Sequence, residues 1–87
     1  MKKVFLVTVI ESERGWGKKI DDYMVCQNED DAKIFIYEFN LENNKVVVPD
    51  WYMMAESKLI EKEISDTKYE MLKSKNMMWL SELNKTK

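Results

Sequence analysis

The sequence predicts a small α+β domain in the chain order β-β-α-β-α: a three-stranded antiparallel sheet of order 2-1-3, one helix on a face of it, and a C-terminal helix. Three observations carry this. An apolar, β-branched run at Val4–Ile10 reads as a strand buried on both sides. Ala32, Phe35, Ile36 and Phe39 recur at helical spacing behind Asn28. A third stretch, from Trp51 onward, alternates apolar and polar side chains. At 87 residues with 45% hydrophobic and 34% charged content, the chain builds one modest core and lacks the composition of disorder. Residues 1–83 are expected to form a single domain, with 84–87 a frayed tail.

Each element has its own local cause. Val4–Ile10 is expected at the centre of the sheet because both of its faces are apolar. Lys19–Gln27 follows as an edge strand, since Ile20, Tyr23, Met24 and Val25 are interrupted by Asp21 and Asp22. Asn28 is an N-cap, and Glu29, Asp30 and Asp31 put negative charge at the positive end of a helix over Glu29–Asn40. Glu42-Asn43-Asn44-Lys45 ends it, and Pro49 leads into strand three over Trp51–Ile60. There Trp51, Met53, Ala55 and Leu59 alternate with Tyr52, Glu56 and Lys58. Ser65 then caps a second helix, with Ile64 and Tyr69 at the staple positions and the helix running through Leu72. For residues 76–83 two readings stand: an extension of that helix, or a short strand Met77-Met78-Trp79-Leu80 after a break at Asn76.

Charge and cysteine usage exclude several functions. A net charge of −2 and a pI near 5.2 do not supply the basic patch that general nucleic-acid binding needs. Cys26 is the sole cysteine, so an intrachain disulfide and a cysteine zinc site are both ruled out, which fits a reducing cytoplasm. The opening Met-Lys-Lys before Val4–Ile10 imitates a signal peptide but runs into Glu11-Ser12-Glu13-Arg14, so it reads as strand one. No stretch reaches the length of a membrane span. The chain has no histidine, which excludes Cys-His and Ser-His catalysis within one protomer. The expectation is a protein that is not an enzyme and uses no cofactor or metal. Asp21-Asp22 point to opposite faces, and Glu29-Asp30-Asp31 are explained by capping.

The least random feature is Glu11-Ser12-Glu13-Arg14-Gly15-Trp16-Gly17-Lys18-Lys19, read as the loop between the first two strands. It gathers the only arginine and both glycines around one tryptophan. In the predicted topology this loop and Asn43–Tyr52 emerge at the same end of the sheet. Glu13, Arg14, Trp16, Lys18 and Lys19, facing Asp50 and Tyr52, therefore form the candidate partner- or ligand-binding site. Arginine offers a planar fork for carboxylate or phosphate, and tryptophan, tyrosine and arginine dominate binding hot spots. The alternative is that the glycines shape a wide turn and Trp16 folds back as a lid on the core. Because the central strand is apolar on both faces and the first helix covers one, the chain is expected to self-associate as a homodimer or to pack its last helix across the sheet. The residues then left open would be Phe5, Val7 and Val9.

At Val4–Gly17 and at Val48-Pro49-Asp50-Trp51-Tyr52 the chain resembles small uncharacterised proteins encoded by bacteriophages. The resemblance implies an accessory protein working in the cytoplasm of the infected bacterium, where such proteins block a defence or redirect an enzyme of the host. Two function classes follow. The first is a protein-binding inhibitor that occupies a host defence protein through this end of the sheet. The second is a small-ligand binder that sequesters a nucleotide-like signal, with Trp16 or Trp51 stacking on the base and Arg14, Lys18 and Lys19 holding phosphate. Inhibition ranks first because no phosphate-binding glycine motif is present.

Overall fold

The computed structural model describes residues 1–13, 17–43 and 51–85; for Trp51 and Tyr52 the backbone alone is described. Strands β1 (Lys2–Glu13) and β2 (Gly17–Cys26) precede helix α1 (Glu29–Asn43). Strand β3 (Trp51–Ile64), helix α2 (Asp66–Lys75), strand β4 (Met77–Trp79) and helix α3 (Leu80–Leu83) follow. The protein is a small α+β fold whose antiparallel sheet has the order β3-β1-β2-β4. The inner order is the expected 2-1-3 with β1 central, but the sheet has four strands and not three. The added strand arises at Asn76, the residue after α2, which takes a positive φ of 71°. The chain reverses there, and Met77–Trp79 pairs with Met24–Cys26 on the outer side of β2. Residues 76–83 thus follow the second of the two readings, a short strand after a break at Asn76, except that the strand ends at Trp79 and Leu80 opens one helical turn.

The two faces of β1 feed two cores. Val4 and Leu6 join Val25, Ile64, Leu72, Met78 and Leu83 under α2 and α3, with Tyr23, Tyr69 and Leu80 packed at the margin. Val7 and Val9 join Met24, Cys26, Ala32 and Ala55 under α1, with Phe5, Phe35, Ile36, Phe39, Leu59, Met77 and Trp79 around them. The C-terminal helices therefore do cross the sheet. Phe5, Val7 and Val9 are not the residues they cover: strand alternation places these three on the α1 side and Val4 and Leu6 on the other. Phe35 links the α1 layer to the fourth strand, with its ring edge-on to Trp79 at 6.1 Å and tilted against Phe39 at 5.3 Å.

The helix starts follow their caps. The Asp31 N–H donates to Asn28 Oδ1 at 2.8 Å and the Lys68 N–H to Ser65 Oγ at 3.3 Å, while Ile64 and Tyr69 meet in one core as a staple does. Helix α1 and strand β3 run beyond their expected ends at Asn40 and Ile60. Between them, the Ala55 N–H donates to Asn40 Oδ1 at 2.8 Å and Asn40 Nδ2 donates to the Ala55 carbonyl at 3.0 Å. Ala55, the residue paired with Val9 of β1, thus has both main-chain groups engaged by the Asn40 side chain. The register of β3 slips just beyond, between Val7 and Val9 of β1.

Candidate functional site

Glu13 pairs with Gly17 on one side and Trp51 on the other, so the described residues flanking 14–16 and 44–50 come together at one end of the sheet. Of the expected site, Arg14, Trp16 and Asp50 lie outside the described residues, and Tyr52 is placed by its backbone alone, opposite Ser12. Glu13, Lys18 and Lys19 are described, and they stand on paired strands where the sequence reading put a loop over Glu11–Lys19. Their charge suggests a loop, yet Glu11, Ser12 and Glu13 are flanked by β2 and β3 and keep their ladders to the end of the strand.

Being on a strand separates the two lysines. Lys19 lies opposite Glu11, with Nζ 3.6 Å from Oε2, and Lys18 lies opposite Ser12, so their side chains leave by opposite faces. They do not converge on one phosphate. On the α1 side, Glu11, Glu13, Gly17 and Lys19 line a groove of about 200 Å³, in which Gly17 adopts a φ of 80° at the entry to β2.

The opposite face carries a feature that sequence periodicity missed. Val9 is opposite Asp22 but Ile10 is opposite Ile20, so Asp21 is an extra residue in β2. This bulge moves Ile20 from the α1 side, where strict alternation would put it, to the side of Ile10 and Tyr23. Ile20 is 54% exposed there. It borders an open groove of about 230 Å³ with Ile10, Lys18, Lys19, Met54 and Glu56. Ile10 is buried yet belongs to neither helix-covered core. The Asp21-Asp22 pair inside an apolar run was the available signal for the bulge. Asp22 fastens α3: its Oδ2 accepts the Ser81 hydroxyl at 2.6 Å, and its Oδ1 accepts the Ser81 N–H at 3.4 Å.

The one thiol is chemically quiet. Cys26 is fully buried, and desolvation, reinforced by the nearby Asp31 carboxylate, pushes its pKa up to about 12 from an ordinary 9.0. A thiol held protonated is a poor nucleophile. Below pH 9 it is neutral in both folded and unfolded chains and costs nothing. Above pH 9 the unfolded thiol ionises first, so stability is expected to fall between about pH 9 and 12. Denaturant midpoints across that range, compared with Cys26→Ala, isolate the effect, and a disulfide reagent should label Cys26 only on unfolding.

Among the described residues no three His, Cys, Asp or Glu side chains gather as a metal set, and no helix is long and apolar enough to cross a membrane. No family model, no curated protein and no solved structure matches the chain.

Proposed function

We propose that the chain is a non-catalytic binding protein that occupies a partner protein with the hairpin end of its sheet and the open half-face beside it. The observation that carries this reading is the half-exposed Ile20, set beside Ile10 and Met54 and flanked by Lys18 and Glu56 on a sheet surface that no helix core includes. An apolar centre with a charged rim is the composition of protein-binding patches. The small-ligand reading has less support. Grooves of about 200 and 230 Å³ at this end fall below the size that encloses a drug-sized ligand, and Lys18 and Lys19 diverge. Given the resemblance to phage accessory proteins, the partner proposed is a protein of the bacterial host, with a defence protein as the first candidate and the host cytoplasm as the place of action.

The test is affinity isolation from bacterial lysate followed by titration of the recovered protein. Ile20→Asp is expected to weaken that complex by about 2 kcal/mol, the scale of a hot spot, while shifting stability by less than about 1 kcal/mol. Arg14→Ala and Trp16→Ala, if they share the surface, should weaken binding in the same way. Undiminished binding by Ile20→Asp, or release of a compound absorbing at 260 nm when the purified protein is denatured, overturns the reading.

A further inference from the structure

Helix α1 is apolar on both sides. Ala32, Phe35, Ile36 and Phe39 face the sheet, while Ile34, Tyr37 and Leu41 point outward with 53%, 69% and 55% of their surface exposed. These three lie at spacings of three and four, the repeat of a coiled-coil seam, so Ile34 and Leu41 take a positions and Tyr37 a d position. The charges beside the seam then fall into place. Lys33 occupies the g position before Ile34 and Glu38 the e position after Tyr37, both exposed. In a parallel two-stranded coil, g of one helix reaches e of the other five residues later, and 33 to 38 is that step. An antiparallel pair centred on the seam would set e against e and bring the two Glu38 side chains together.

We propose that a second copy of this chain docks on α1, the two helices running parallel about a two-fold axis along their length, with Lys33 of each bridging Glu38 of the other. Charge complementarity selects this occupant and this orientation. Within one chain Lys33 Nζ lies 4.0 Å from Glu29 Oε2, a loose, exposed pair that leaves the ammonium able to turn toward a partner. Beside the seam an open trough of about 440 Å³ between Lys33, Ile36, Tyr37, Asn40 and Leu41 receives the partner's side chains. The seam ends at Asp30, one step before Ile34, where two copies would bring like charges together. The contact is short for an obligate dimer, so association is reversible and depends on concentration. The surface is distinct from the hairpin end, and loss of one interaction leaves the other intact.

Sedimentation equilibrium of the full chain up to about 1 mM is expected to show a monomer–dimer equilibrium. Tyr37→Glu should abolish it at every concentration. Lys33→Glu and Glu38→Lys should each weaken it by about tenfold, and the double exchange should restore it. Ile34→Cys should form a 34–34 disulfide on oxidation, because a positions meet across a parallel seam. All four positions are exposed, so melting temperatures at dilutions where the chain is a monomer stay unchanged. A monomer at about 1 mM, a dimer indifferent to Tyr37→Glu, failure of the double exchange to restore association, or a dimer in which Ile34→Cys does not cross-link each overturns the proposal.

Discussion

A chain ended at Ser65 is expected to lose its cooperative fold and to aggregate. The truncation removes Leu72, Met78 and Leu83, which together with Val4, Leu6, Val25 and Ile64 form the core on one side of the sheet. Each large apolar side chain taken out of water stabilises a fold by about 1.5–3 kcal/mol, so the three alone contribute on the order of 5 kcal/mol or more. A domain this small has a total stability of only about 5–10 kcal/mol. The loss also uncovers Val4 and Leu6 and frees the β2 edge that Met77–Trp79 pairs with, which favours association between sheets. Circular dichroism and light scattering check this; a soluble monomer with a sharp thermal transition would show that α1 and three strands suffice.

Leu72→Ala is expected to cost about 2–5 kcal/mol, and Met71→Ala, its neighbour on α2, less than about 1 kcal/mol. Leu72 is fully buried between α2 and the sheet, whereas Met71 is 37% exposed. The pair holds helix propensity nearly constant, since leucine and methionine are similar helix formers, and varies burial. Urea midpoints for the two variants measure the difference directly. Equal losses would mean that α2 is held by its caps and its own helicity, not by packing on the sheet.

What could be read from the amino-acid order was what is decided locally. Asn28 and Ser65 act through residues within one turn of themselves, so both helix starts were visible as side-chain chemistry. The apolar run of β1 declared its own burial. Strand β4 was not visible as such, because Met77–Trp79 forms a strand only where β2 leaves an edge open, and that pairing spans some fifty residues of sequence. The same holds at the candidate site. Glu11 and Lys19 look like loop charges until each is placed opposite the other across a ladder, and Ile20 changes faces through a bulge that only the register reveals. The outward stripe of α1 lay in plain sequence, but the inward residues of the helix already accounted for its pattern.

The clamp between Asn40 and Ala55 fixes which part of β3 lies beneath α1 by side-chain chemistry on either side of residues 44–50. Because two hydrogen bonds to one amide set that alignment, it does not rest on the number of residues in between. The closure entropy of a connection grows only slowly with its length. Insertions and deletions there are therefore expected to leave the alignment of β3 with α1 unchanged.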